Sequence, residues 1–114
     1  MEISSRKEKE VTVVTVTGRI DAITAPDFEN HLDGLIGQGD KLLLINLSGL
    51  GYISSAGLRS ILSSAKKLKT LSGELVFAGL QGPVEEVFQI SGFQSIFKIF
   101  PSEGDALNSF LKDG

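Results

Sequence analysis

At 114 residues the chain is the size of one domain, able to bury about 65% of its unfolded surface in a single core without a covalent staple. It has no cysteine, which excludes a disulfide framework, a thiolate nucleophile and a cysteine-based metal site. Fourteen acidic against eleven basic residues leave a net charge of −3, which argues against a nucleic-acid binder, and no apolar run approaches the length that spans a membrane.

Met1 is followed by Glu2 and a charged stretch instead of a basic, apolar leader, so a cytoplasmic protein is expected. Residues 2–10 are polar except for Ile3 and read as an edge strand at best. Residues 11–17 are β-branched throughout, a strand that Gly18 is expected to end. Thr24 then reads as a helix cap with Pro26 just inside, and Ala25, Phe28, Leu32, Leu35 and Ile36 fall on one face. Gly37 and Gly39 close that helix.

Residues 42–47 form a short, nearly continuous apolar run, the pattern of a strand covered on both faces. The glycine-punctuated residues 48–53 read as a turn, Ser54 and Ser55 follow, and Leu58, Ile61, Leu62, Ala65 and Leu68 recur at helical spacing. A further strand is expected at residues 75–78, and a brief helix from Gly82 and Pro83 should turn Val84, Val87, Phe88 and Ile90 inward. A last strand at residues 96–100 is stopped by Pro101. Ser102 caps a terminal helix that buries Ala106, Leu107, Phe110 and Leu111. Strands alternating with helices after Lys41 imply crossovers and a largely parallel sheet.

A serine pair thus stands where a buried strand meets a helix start, the edge at which ligands and partners dock on open α/β sheets. One serine can cap the helix through its oxygen. Either can also be a phosphorylation site, because a phosphate there would meet unpaired amides and the positive end of the helix dipole. The polar side of this helix carries Arg59, Ser63, Lys66, Lys67 and Thr70 at helical spacing, a mildly basic stripe and a candidate docking face for an acidic partner surface.

Enzyme chemistry finds little support. Ser55 lacks the glycine two residues earlier that a nucleophile elbow needs, since Ile53 is there, and His31, the single histidine, precedes both serines. His31 reads as a solvated helix-flank residue. Gly49 and Gly51 resemble a dinucleotide turn only until Ser54 occupies the third glycine position, and Gly51 and Gly57 are wrongly spaced for a phosphate-binding loop. Glu85 and Glu86 read as solvated helix residues.

The stretch Asn46-Leu47-Ser48-Gly49-Leu50-Gly51-Tyr52-Ile53-Ser54-Ser55-Ala56-Gly57-Leu58-Arg59 resembles the signature of the anti-sigma factor antagonists, the bacterial STAS domains. In that signature an acceptor serine precedes a small residue, glycine and leucine. Gly18-Arg19-Ile20-Asp21-Ala22 is similar to the family's second marker, and the resemblance runs over nearly all of residues 1–114. It implies a single α/β domain with a small mixed, mostly parallel sheet flanked by helices in the order β-β-α-β-α-β-α-β-α.

The resemblance further implies a partner-switching regulator and not an enzyme. The unmodified domain would bind an anti-sigma factor that is a serine kinase, be phosphorylated by it, and be reset by a serine phosphatase, with no cofactor. Ser55 matches the acceptor, Ser54 the residue beside it, Gly57 the close-packed helix start and Asp21 the acidic loop residue near the acceptor. Ser54 departs from the family, which has aspartate there. Two other classes fit the residues: a constitutive scaffold that is never phosphorylated, and a module that holds a small anion at residues 49–55.

Overall fold

A computed structural model of the chain describes residues 1–112. Its elements are β1 (Glu2–Glu8), β2 (Val11–Ile20), α1 (Ala25–Gly37), β3 (Leu42–Ile53), α2 (Ser55–Thr70), β4 (Glu74–Ala78), α3 (Gly82–Ile90), β5 (Ile99–Phe100) and α4 (Glu103–Lys112). The five strands lie in sequence order in one sheet. β1 and β2 form an antiparallel hairpin, and every later neighbour is parallel. Right-handed crossovers that always step the same way place their helices on one face, which is where α1, α2 and α3 pack. The expected α/β architecture is therefore present.

The alternation of β-branched and leucine residues sorts the two faces. Val14, Val16, Leu43, Ile45, Leu47, Leu75 and Phe77 join α1, α2 and α3 in the larger core, where Phe77, Phe88, Phe93 and Phe97 meet at centroid distances of 5.1–5.4 Å. Val11, Val13, Leu44, Val76 and Ala78 face Ala106 of α4 on the other side. Two-sided coverage is why residues 42–47 are apolar without alternation. The edge strand β1 is tied from both faces: Lys7 to Asp40 at 2.9 Å, and Arg6 to Glu103 of α4. No helix among the described residues is long and apolar enough to cross a membrane.

Several expectations are corrected. Gly18, at φ +93°, does not end β2; the strand runs through it to Ile20 with two register shifts. Residues 48–53 are not a turn but the second half of β3, paired with β2 as far as Ile20 and Ile53. Thr24 is the N-cap residue of α1, as expected, but its hydroxyl is engaged with Asp21 and Arg19 O and makes no cap bond to the helix. Residues 96–100 are not a full strand: a 3-10 turn at Phe93–Ser95 uses up the chain, and only Ile99 and Phe100 pair with β4. Ile90 is 86% exposed and Leu111 lies 41% open, so neither faces the core.

Within α2 the deeply buried positions are Gly57, Ser60, Ile61, Ser64 and Leu68, with Leu58 and Leu62 only partly covered. The stripe is rotated toward small residues because α1 lies against α2. Ser60 Oγ donates to Ala56 O at 3.1 Å and reaches Ala25 O of α1 at 3.4 Å, while Ser64 Oγ donates to Asp33 Oδ1. His31 is likewise not a solvated flank residue; it is half-buried and its Nε2 is enclosed.

Candidate phosphoacceptor and docking site

The site is assembled by the parallel pairing of two strand ends. β2 and β3 finish side by side at Ile20 and Ile53, and the chain leaves each at the same edge of the sheet. Ser54 N then donates to Ile20 O at 2.8 Å, which fixes the serine pair beside the turn that starts at Asp21.

Ser54 has extended backbone angles, φ −91° and ψ 172°, and its Oγ accepts from Gly57 N at 3.2 Å. That is an N-cap, and its carbonyl accepts the first helical bond, from Leu58 N. Ser55 is the first residue of α2, is exposed, and its hydroxyl has no hydrogen bond among the described residues. The amides of Ser55 and Ala56 precede the helix's own bonding pattern, so an anion on Ser55 would stand at the positive end of the dipole. The two serines therefore have different tasks: one hydroxyl is engaged within the fold and the other is presented.

Gly57 explains itself in this geometry. A Cβ there would come within 2.7 Å of Ile53 Cγ1 and 2.8 Å of Ile20 Cγ2. Both contacts are close to the side-chain roots and cannot swing aside, so only glycine lets the start of α2 sit on the two strand ends.

Asp21 organises the neighbouring loop. Its Oδ1 accepts from Ile23 N at 3.0 Å, Thr24 N at 2.9 Å and Thr24 Oγ1 at 3.1 Å, while Asp21 N donates to Thr24 Oγ1. The bond from the Thr24 amide, above all, holds this carboxyl below the usual aspartate range, aided by the Thr24 hydroxyl, the Ile23 amide and the nearby Arg19 charge. The tight turn leaves Ile23 85% exposed at its tip.

Arg59 lies one turn along α2 from Ser55, on the same side of the helix and exposed. The rest of the basic stripe divides. Ser63 Oγ donates to Glu29 Oε2 at 3.3 Å and Lys67 Nζ to Asp33 Oδ2 at 2.7 Å, so both turn toward α1. Lys66 lies on the opposite flank, beside Gly73, Glu74 and Lys98. Asp21, Ser54, Ser55 and Gly57 are brought together, with Arg59 at their border; Ser63 and Lys66 are not part of that group.

Two residues escape the sequence reading. Arg19 and Tyr52 are register partners on β2 and β3, and the guanidinium carbon sits 4.4 Å from the ring centroid, a cation–π stack at the same sheet edge. Taking residues 48–53 as a turn conceals this pair; the signal was a basic and an aromatic residue each just before an isoleucine that ends its strand. Among the described residues no group of three or more His, Cys, Asp or Glu is placed to hold a metal ion.

Comparison with known proteins agrees with this architecture. The STAS domain family model matches residues 2–106. The chain is 36% identical over 110 residues to BtrV of Bordetella bronchiseptica, named as a candidate anti-sigma factor antagonist, covering 96% of this chain and 95% of that one. It is 31% identical over 105 residues to the anti-sigma-B factor antagonist of Listeria monocytogenes, covering 92% and 91%. Among solved structures, an anti-sigma factor antagonist from Mycobacterium paratuberculosis aligns with a TM-score of 0.86 at 27% identity, over 95% of this chain and 92% of that one. The phosphorylated form of the Bacillus cell fate determinant SpoIIAA aligns at 0.76 over 96% and 99%, and at 19% identity it shows the shared fold alone. By sequence, fold and matched extent, the chain belongs to the STAS domain family.

Proposed function

We propose that this protein is an anti-sigma factor antagonist that acts by binding and not by catalysis. In its unphosphorylated state it binds an anti-sigma factor with serine kinase activity, through the edge that carries Asp21, Ser54, Ser55, Gly57 and Arg59. Phosphorylation of Ser55 ends the complex, and a serine phosphatase restores it, all in the cytoplasm. Support for the partner class comes from the names of the relatives, two of them above 30% identity over nearly the whole chain.

The observation that carries the switch is the division of labour between the serines. Ser54 spends its hydroxyl on the helix cap, whereas Ser55 offers an exposed hydroxyl at the head of α2. An interface that closes over a hydroxyl must accommodate about −1.5 to −2 units of charge once that hydroxyl is phosphorylated. A penalty of only about 2.8 kcal/mol weakens binding a hundredfold.

Calorimetry with the purified anti-sigma partner tests this reading. Ser55→Ala should bind as the parent does, and Ser55→Asp at least about tenfold more weakly, near 1.4 kcal/mol. Equal affinities for both variants would remove the switch. Ser54 favours a second reading: where the family has aspartate, this chain caps α2 with an uncharged hydroxyl, which suits a scaffold that binds without modification. Undiminished binding by Ser55→Asp, with no phosphate on protein from cells, is what that reading expects.

A further inference from the structure

The far end of α2 carries a second surface with its own chemistry. A groove of about 470 Å³ runs between the C-terminal half of that helix and residues 96–98. Its apolar walls are Leu62, Leu75, Phe97 and Ile96, the last 60% exposed. Lys66, Lys69 and Lys98 stand around it against one carboxylate, Glu74, which is already 3.2 Å from Lys98 Nζ. Lys66 and Lys69 form no ion pair among the described residues. Three cations against one anion make a local excess of two positive charges on a chain whose net charge is −3.

The groove exists because β5 is short. It pairs only with Phe77 and Ala78, so residues 96–98 pass beside Glu74 and Leu75 without strand pairing and leave the groove between themselves and α2, while Leu75 and Val76 stay buried. Lys69 is about 20 Å along α2 from Ser55 at 1.5 Å per residue, so the groove is separate from the serine end.

We infer that this groove binds an acidic segment of a protein partner, apolar side chains entering between Leu62 and Ile96 and carboxylates reaching Lys66, Lys69 and Lys98. The inference goes beyond the serine switch and does not depend on it. A partner could thus be held at the groove while Ser55 is modified at the other end of the helix.

The test is an NMR titration of the ¹⁵N-labelled protein with a capped Glu-Val-Glu-Val-Asp-Leu-Glu peptide, with Lys-Val-Lys-Val-Lys-Leu-Lys as the control. Saturable shifts should cluster at residues 65–69, 73–75 and 96–98 with the acidic peptide only. Lys66→Glu/Lys69→Glu should weaken binding at least about tenfold while keeping a native spectrum, Lys69→Gln should weaken it less, and Ser55→Asp should leave it unchanged. Absence of saturable binding, shifts centred on the serine end, or equal binding of the basic peptide would overturn the proposal. So would co-sedimentation with phosphatidylglycerol vesicles that depends on the same lysines without any peptide binding, which would make the groove a membrane contact.

Discussion

Gly57 and Ser54 show how much single positions constrain the edge where the two serines stand. Gly57→Ala introduces a methyl that meets the roots of Ile53 and Ile20 under 3 Å, so overpacking should cost about 1–3 kcal/mol. A urea midpoint lowered accordingly, with the slope unchanged, is the expected result; an unaltered midpoint would mean that the strand ends yield. Ser54→Ala removes the cap bond to Gly57 N and should cost on the order of 1 kcal/mol, a melting temperature about 4 °C lower for a domain of this size. Residue type and position show that one of the two serines caps α2, whereas the choice of Ser54 and the close-packed role of Gly57 come from the family resemblance. The Arg19–Tyr52 stack was not legible in the sequence, because it depends on strand register, and the two register shifts in β2 and β3 break the period of two from which register is read.

Helices and strands were legible wherever one periodicity ran unopposed. The inward face of α1 matches its pattern residue for residue, since Ala25, Phe28, Leu32, Leu35 and Ile36 are all buried. Composition hides the second half of β3, because Gly49 and Gly51 read as turn residues. Gly49 is in fact needed beside Thr17, whose Cγ2 would lie 2.6 Å from an added Cβ. The basic stripe on α2 failed for a different reason: spacing places residues on a helix face but does not reveal that α1 supplies Glu29 and Asp33 alongside. From that division, Arg59→Glu should slow association with the anti-sigma partner and flatten its salt dependence, while Lys67→Ala should leave the association rate alone. Stopped-flow kinetics at two salt concentrations separates them, and a rate set by Lys67 would return the interface to the α1 side.

For the molecule as a whole, the two ties on β1 should add to the acid response that Asp21 also contributes. Asp40 is held below the ordinary aspartate range by the hydrogen bond from Gln38 and then by Lys7, and Glu103 below the glutamate range by Arg6 and then by Asn46. A carboxyl whose folded value is depressed adds stability at every pH above its unfolded value, about 3.9 for Asp and 4.3 for Glu. That contribution is lost as pH falls through the folded value, so stability should decline from about pH 4 downward. Asp40→Asn should lower the urea midpoint at pH 7 and narrow the gap between pH 7 and pH 3; an unchanged gap would place the acid response elsewhere. The central claim concerns the other end of the sheet, where Ser55 is presented and Ser54 is engaged. Its most direct test is to incubate the protein with ATP in a lysate of its own cells and locate phosphate by peptide mass mapping. Phosphate on Ser55, abolished by Ser55→Ala and retained in Ser54→Ala, is the predicted result; phosphate on Ser54, or on neither serine, would contradict it.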